Sequence, residues 1–197
     1  MAEDTGTPDV EILAGSLGPL TEPVVHPFLV VVSGLPGTGK SYFARRLVER
    51  LPAVILESDR LRKALFPKPG YSAGESRQLF RAAYILVERL LRQAVPVVFD
   101  ATNLSEHYRE RLYRIAERLG VKLVVVRVEA PPELVHQRLQ ERRSDAGNRS
   151  DADWSVYQRL KPEVDKIRRR HYVVDTSRDI TPVISKIVRE IRSLKRR

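Results

Sequence analysis

Eight consecutive residues have the types and spacing of a phosphate-binding loop. Gly34-Leu35-Pro36-Gly37-Thr38-Gly39-Lys40-Ser41 fit the pattern G-x-x-x-x-G-K-[ST]. In this pattern backbone N–H groups surround phosphate oxygens, the lysine reaches the β- and γ-phosphates, and the last hydroxyl holds Mg²⁺. We therefore predict that all eight residues bind a nucleoside triphosphate, that Lys40 is catalytic and that Ser41 is a magnesium ligand.

The segments on either side of the loop agree with this interpretation. Residues 28–33 are a short β-branched run that predicts a buried strand. After Lys40, apolar residues recur at the spacing of a helix, up to Pro52. Strand, loop and helix thus follow one another in the required order, and the N-terminus of such a helix favours an anion through its dipole.

Alternating strands and helices predict an α/β fold. Short apolar runs at residues 28–33, 54–56, 97–99, 123–126 and 172–175 are separated by segments with helical spacing. They indicate a P-loop NTPase fold with a five-stranded parallel sheet, helices on both faces and a small helical lid. We expect residues 1–26 to be a flexible acidic segment and residues 27–197 to form one domain, with the lid at about 132–160.

Polar residues follow two of the predicted strands at the sheet edge that carries the loop. Asp59 can accept a proton from an acceptor hydroxyl, although it could instead cap the next helix. Asp100 ends an apolar strand, where a carboxylate is costly unless a cation is near, so we predict that it helps hold Mg²⁺; a structural role is the alternative. Asn103, three residues further on, is a candidate to contact the acceptor.

Several arginines could neutralise phosphate charge. Arg62 shares a helix face with Asp59 and could hold the acceptor. Arg138 and Arg142 are four residues apart on a basic helix that leads into a polar loop, an arrangement typical of a closing lid. Arg143 and Arg149 are nearby, and the sequence leaves open which of the four is the lid arginine; a solvated basic face is the alternative for each.

The motifs together resemble those of P-loop kinases, the group that includes zeta toxins, chloramphenicol phosphotransferase and polynucleotide 5′-kinases. The resemblance runs from about residue 28 to 177 and rests on the loop, Ser58-Asp59-x-x-Arg62, the segment 97–103, and Arg138-x-x-x-Arg142 before residues 150–152. Many members have glycine where this chain has Ala94, a difference that affects a turn and not the chemistry.

The resemblance implies a role for each matched residue. Lys40 and Ser41 would bind ATP and Mg²⁺, Asp59 would be the general base, Arg62 would hold the acceptor, and Arg142 would be the lid arginine. Thr176 would border the adenine, and Arg138 is assigned with it to the nucleotide. The implied enzyme is an ATP-dependent kinase that phosphorylates an alcohol.

Composition limits the acceptor and the setting. The net charge is +10, although residues 1–26 carry five acids and no Lys or Arg, so the rest of the chain is strongly basic. A basic surface suits either a nucleotide enzyme or a nucleic-acid substrate. The chain has no cysteine, no run long enough for a membrane helix and no visible signal peptide, so we expect a cytoplasmic protein without membrane contact.

Three functions stay open at this point. The first is a kinase that acts on the 5′-hydroxyl of a nucleic acid, which the basic charge and the Asp59/Arg62 pair favour. The second is a kinase of a small hydroxyl compound such as a sugar, nucleoside or antibiotic. The third is a nucleotide-dependent switch or binding module, which would need neither a base nor a lid arginine. The sequence does not indicate the oligomeric state.

Overall fold

The sheet has five parallel strands with the phosphate-binding loop after its central strand. The computed structural model describes residues 8–143 and 152–193. The strand order is β2-β3-β1-β4-β5, and all four pairings are parallel. This confirms the predicted fold class. The strands are β1 Phe28–Ser33, β2 Val54–Glu57, β3 Val97–Asp100, β4 Lys122–Glu129 and β5 Tyr172–Asp175.

Helices cover both faces of the sheet. Side chains on alternate faces of β1 enter two separate cores. Leu29 and Val31 pack with the helices at residues 73–92 and 106–119, and Val30 and Val32 pack with the helices at residues 40–48 and 181–192. Within the two described ranges, no helix combines the length and apolar character needed to cross a bilayer. The helices are α1 Pro8–Gly15, α2 Lys40–Val48, α3 Ser58–Leu65, α4 Ala73–Arg92, α5 Glu106–Leu119, α6 Pro132–Arg143, α7 Trp154–Leu160 and α8 Thr181–Arg192.

Strand β4 is longer than the sequence predicts. The apolar run suggested residues 123–126, but the strand continues through Arg127, Val128 and Glu129. Its first part pairs with β1, and its last four residues pair with β5. The pairing with β5 keeps residues 127–129 extended, although charged and buried residues alternate there. The apolar run alone did not predict this pairing. Arg127 and Glu129 therefore lie within the sheet and not after it.

The N-terminal segment differs from the flexible lead-in that we expected. Residues 8–15 form α1, and its Val10 and Leu13 are completely buried against α4 and the neighbouring core. Polar contacts add to this packing: Glu11 pairs with Arg89 at 2.6 Å, and Asp9 accepts a hydrogen bond from Gln78 at 2.9 Å. The prediction was wrong here because eight residues with two buried positions give too weak a periodic signal to stand out.

One turn before β3 holds an alanine where the resemblance to P-loop kinases implies glycine. Ala94 has φ 61°, in the left-handed region that costs a non-glycine residue energy. The carbonyl of Ala94 accepts a hydrogen bond from the N–H of Val24 at 2.9 Å. The N-terminal segment therefore holds this turn in place just before β3.

Candidate active site

The phosphate-binding loop is held at both of its ends. The N–H of Gly34 donates to the carbonyl of Thr102 at 3.0 Å, which ties the start of the loop to the end of β3. Gly39 precedes α2 with φ 92°, a conformation that glycine adopts without strain. Lys40 is the first residue of α2, and its Nζ reaches back across the loop to donate to the carbonyl of Leu35 at 3.1 Å. The loop thus presents a helix N-terminus and a lysine to the same space.

The outer side of this loop packs against the two helices of the expected lid. The side chain of Leu35 lies against an apolar cluster of Val135 and Leu139 from α6 and Tyr157 from α7. Gly37 has φ 79°, and a Cβ at this position would stand only 2.8 Å from Val135. A larger residue at position 37 would push α6 away. The phosphate-binding loop therefore packs directly against α6 and α7, so a displacement of one would displace the other.

Two carboxylates lie beside Ser41 on the inner side of the loop. The hydroxyl of Ser41 donates to Glu57 at 3.2 Å, and it lies close enough to Asp100 to lower the pKa of that carboxyl. Asp100 is only 2% exposed, and its Oδ2 has no hydrogen-bond partner among the described residues. Burial raises the pKa of Asp100, which Lys40 and Ser41 oppose, while Glu57 and Asp59 add to the rise.

These groups fit a magnesium ion. Mg²⁺ prefers hard oxygen ligands and usually keeps only one or two protein ligands, with phosphates and water in its other positions. Ser41 and Asp100 carry oxygen atoms of this kind, and the unpaired Oδ2 of Asp100 is a buried acceptor that a cation would satisfy. In the described part of the chain, no three His, Cys, Asp or Glu residues gather to hold a metal by themselves. Ser41 and Asp100 therefore stay our predicted ligands.

Glu57 is a site residue that the predictions omitted. It ends β2 directly beside Asp100 in the register of β3, and it also precedes α3 as its N-cap. The signal was present in the sequence: two apolar runs, Val54-Ile55-Leu56 and Val97-Val98-Phe99, each end in an acid. In adjacent parallel strands such acids meet at one edge, but the strand order was needed to see that these two strands are neighbours.

Asp59 does not act as the cap that the sequence left as an alternative. Helix α3 begins at Ser58, its N-cap is Glu57, and none of the described side chains makes a capping hydrogen bond there. Asp59 lies in the first turn, where the helix dipole favours a negative charge. Its carboxylate is near enough to raise the pKa of Asp100. Asp59 thus lies near Asp100, and its role as general base stays a prediction.

Arg62 is buried between α3 and α4. It is 6% exposed, its Nη2 donates to Ser76 at 3.1 Å, and its guanidinium lies 4.9 Å from the ring centre of Tyr71. Its Nη1 is 3.6 Å from Glu75 and has no hydrogen-bond partner among the described residues. The guanidinium of Arg62 therefore lies inside the protein between Glu75 and Ser76, and its contact with an acceptor stays a prediction.

Asn103 lies in a different setting from the one expected. It is 2% exposed with φ 45°, and its Nδ2 donates to the carbonyl of Val32 at 2.7 Å. The side chain thus fastens the end of β3 to β1 beneath the phosphate-binding loop. Its Oδ1 has no hydrogen-bond partner among the described residues, and its contact with the acceptor stays a prediction.

The structure separates the arginines of the predicted lid. Arg138 donates to both the hydroxyl and the carbonyl of Thr176, at 2.8 and 3.0 Å, and that hydroxyl donates to the carbonyl of Thr38 at 2.7 Å. Arg138 and Thr176 are therefore linked to the loop, as expected of residues on the nucleotide side. Arg142 is in the last turn of α6, but its side chain and that of Arg143 are outside the described part, as is all of Arg149.

Arg109 is a second residue that sequence reasoning missed. It is completely buried, and it pairs with Glu106 at 2.7 Å. Its guanidinium also donates to carbonyls of Asn103 and Leu104 at 2.6 Å and to that of Asp165 at 3.1 Å. It therefore joins the segment after β3 to the segment after α7. In the sequence it is one of many arginines on an amphipathic helix, and nothing marks it as buried.

Comparison with known proteins places this site in a family. The family described as "AAA domain" (AAA_33) matches residues 29–167, more than half of the chain. The chain belongs to this AAA domain family. The matched range includes the phosphate-binding loop, Asp59, Arg62, Asp100 and Arg138, and it begins after α1.

Relatives of this AAA domain chain include proteins named as kinases. It is 33% identical over 128 residues to a UPF0200 protein of Saccharolobus islandicus, in a match that covers 59% of this chain and 66% of that protein. The chain thus spans just under two thirds of such a relative. An adenylyl-sulfate kinase of Myxococcus xanthus is 26% identical over 115 residues, covering 56% and 62% of the two chains. An L-seryl-tRNA(Sec) kinase of Methanococcus maripaludis is 25% identical over 119 residues, covering 58% and 46%.

Solved structures share the fold. Chaetomium thermophilum Kti12, in complex with ADP-AlF3, superposes with a TM-score of 0.66 at 21% identity over 84% of this chain and 97% of that one. The Mycobacterium tuberculosis APS kinase CysC, in complex with AMPPNP and APS, gives 0.62 at 19% identity over 85% and 97%. At these identities the likeness establishes the fold and not the substrate.

Proposed function

We propose that the protein is an ATP-dependent phosphotransferase that moves the γ-phosphate of ATP to an acceptor hydroxyl. One observation carries the proposal: Lys40 and Ser41 of the phosphate-binding loop meet the buried Asp100, with Asp59 on the same side. A protein that only bound nucleotide would not need a further carboxylate beside this cluster. The kinase relatives, and the ATP analogues in the neighbouring structures, support the same chemistry.

Each group has a defined task in this reaction. The acceptor oxygen forms a bond to the γ-phosphorus while the bond from that phosphorus to the β–γ bridging oxygen breaks, and ADP leaves. Asp59 takes the proton of the acceptor hydroxyl. Lys40 and the lid arginine, which we propose is Arg142, stabilise the charge on the transferring group. Magnesium held by Ser41 and Asp100 would neutralise part of the phosphate charge.

We further propose that the acceptor is the 5′-hydroxyl of a nucleic acid. The net charge of +10 supports this, and because residues 1–26 contain no Lys or Arg, all of the Lys and Arg side chains lie in the rest of the chain. The relative named L-seryl-tRNA(Sec) kinase supports an acceptor attached to RNA within this family. Arg62, whose guanidinium lies beside Tyr71 and donates to Ser76, could hold a phosphate or the edge of a base next to that hydroxyl.

A small hydroxyl compound is the second candidate acceptor. A cleft of about 620 Å³ lies between the start of the phosphate-binding loop, the end of β4 and the segment after α7. Gly34, Leu104, Tyr157, Lys161 and Asp165 are among the residues that line it. Its volume is in the range of small-molecule sites, and its mixed charges would suit a polar, neutral compound.

An ADP-release assay tests the proposal. Purified protein with ATP and Mg²⁺ is given 5′-hydroxyl oligonucleotides, nucleosides, sugars, or aminoglycoside and phenicol antibiotics, and the Asp59→Asn variant serves as the control. We expect ADP release that depends on the oligonucleotide and disappears in the variant. Release with only a small compound would support the second acceptor class. ATP binding without release for any acceptor would favour a nucleotide-dependent switch and overturn the kinase proposal.

A further inference from the structure

Aromatic rings from the first halves of α4 and α5 pack together where the two helices meet. Tyr108 stacks on Phe80 with ring centres 5.6 Å apart, and Phe80 in turn stacks on Tyr84 at 6.0 Å and contacts Phe99 of β3 at 6.4 Å. Phe99 and Tyr84 are buried, whereas Tyr108 is 36% exposed. The result is a rigid stack of rings whose last member faces the solvent.

The surface around these rings carries positive charge. Arg77 and Arg81 are exposed, one turn apart on α4, and Arg111 of α5 lies 5.9 Å above the ring of Tyr84. None of these three arginines forms a salt bridge with any residue in the described ranges. Their charges are therefore available to a ligand from solution.

The acidic residues in the first halves of α4 and α5 pair with other residues of the protein. Glu106 of α5 is bound by the buried Arg109, and Glu110 pairs with Arg169 at 3.7 Å. Glu75 of α4 accepts a hydrogen bond from the backbone of Gly70 at 3.0 Å and lies beside Arg62. This arrangement leaves the side of α5 that faces α4 with positive and aromatic groups.

These rings and arginines lie next to the candidate active site. Phe99 directly precedes the proposed magnesium ligand Asp100, and Ser76 on α4 accepts a hydrogen bond from Arg62. Arg77 and Arg81 follow Ser76 along α4, which runs on toward the start of β3. A chain whose end was bound near Arg62 and Asp59 could therefore leave the site along this surface.

We propose that this surface, the α4–α5 patch of Arg77, Arg81, His107, Tyr108 and Arg111, binds the single-stranded segment of a nucleic acid next to its 5′ end. This rests on the proposed function and names how its acceptor is held. Tyr108 would stack with a base, and the arginines would contact phosphates. Flat aromatic surface interleaved with unpaired arginines is the combination that binds single strands without reading their sequence.

Direct binding measurements test this patch apart from catalysis. The anisotropy of a labelled 5′-hydroxyl 12-mer gives its affinity for the full chain at salt concentrations from about 50 to 200 mM. For Arg77→Ala/Arg81→Ala we expect weaker binding and a log–log salt slope smaller by about 1.4, since each single-strand phosphate contact contributes about 0.7. Arg170→Ala, an 88% exposed arginine near the other edge of the sheet, is the matched control and should change little.

Stacking has its own variant. Tyr108→Ala should weaken oligonucleotide binding roughly 5- to 150-fold, the range for the loss of one stacked base, with the salt slope unchanged. Tyr108→Phe keeps the ring and should bind like the wild type, which separates stacking from a loss of the hydroxyl. Thermal melting of each variant checks that the protein stays folded when the contact between Tyr108 and Phe80 is changed.

The outcomes distinguish this inference from the proposed function. If oligonucleotides bind through the patch but are not phosphorylated, the patch is correct and the proposed acceptor is wrong. If they are phosphorylated and the patch variants bind as well as the wild type, the function stands and the patch is overturned. No oligonucleotide binding by the wild type, or arginine effects without any effect of Tyr108→Ala, also overturns it, the latter by showing a surface for polyanions in general.

Discussion

Glu57 and Asp100 are register partners at the ends of the neighbouring strands β2 and β3, and the hydroxyl of Ser41, which donates to Glu57, lies near both carboxylates. Two adjacent carboxylates repel each other, and burial makes the charge on Asp100 more costly still. The fold tolerates this pair because Lys40 is close to Asp100. We propose that a magnesium ion held by Ser41 and Asp100 would offset the remaining negative charge. The arrangement therefore lowers the stability of the free protein and, in exchange, raises its affinity for a cation.

This exchange predicts opposite effects of Asp100→Asn with and without ligand. Burial raises the pKa of Asp100, so its charged form is disfavoured by folding, and it costs stability as the pH rises above the ordinary carboxyl pKa. At neutral pH without Mg²⁺, the Asn variant should melt at or above the wild-type temperature. The increase in melting temperature that Mg²⁺ and ATP give the wild type should be largely lost. A variant that melts lower without ligand and keeps the full increase would contradict the metal role.

Lys40→Ala should lower phosphoryl transfer about 10²- to 10³-fold. The reason is the loss of a cation that stabilises charge on the transferring phosphoryl group, an effect worth about 3–4 kcal/mol. The measurement is ADP release with the best acceptor at saturating ATP. Arg46→Ala is a matched control, since Arg46 lies on the same helix and its partner Glu49 is exposed as well. Unchanged turnover in folded Lys40→Ala protein would rule out the role assigned to this loop.

The sequence was sufficient where residues act locally. The loop, the strand before it and the helix after it are adjacent in the chain, so one motif and two periodic patterns predicted them. Arg109 and Asn103 show the opposite case. Their environments depend on which carbonyls the folded chain brings near them, such as that of Asp165, which is 56 residues away from Arg109. The end of β4 was missed for the same reason, because β5 holds it.

Arg109→Met should destabilise the protein by about 3–5 kcal/mol, measured by urea unfolding. Methionine fills similar space but leaves the carboxylate of Glu106 and three or more carbonyls without their donor. Arg114→Ala, an exposed arginine on the same helix, should change the free energy of unfolding by less than about 0.5 kcal/mol. Equal effects of the two variants would mean that the buried network contributes little.

Helix α1 should matter to the acceptor side although it lies outside the family match. It packs on α4, and the carbonyl of Ser16, just after it, accepts a hydrogen bond from Arg60 of α3 at 2.9 Å. Leu13→Ala should cost about 2–5 kcal/mol of stability and raise the KM for the acceptor more than that for ATP. Ile12→Ala, at a 47% exposed position of the same helix, should do neither. An equal rise in both KM values would argue against a specific effect on α3.

Asp59→Asn should keep the affinity for ATP and lose about 10²- to 10⁴-fold in turnover. The amide has nearly the size of the carboxylate but cannot take the proton of the acceptor hydroxyl. Because no side chain caps α3, and because Asp59 contributes only a helix-dipole interaction of about 0.3–1 kcal/mol, the melting temperature should change little. The measurements are ATP binding by fluorescence, ADP release with acceptor, and thermal melting of the same preparation. Ser58→Ala, at the preceding position of α3, provides the control, since a helix-start effect would appear in both variants and loss of the base in only one. If Asp59→Asn melts lower and turns over normally, Asp59 stabilises α3 and the base lies elsewhere.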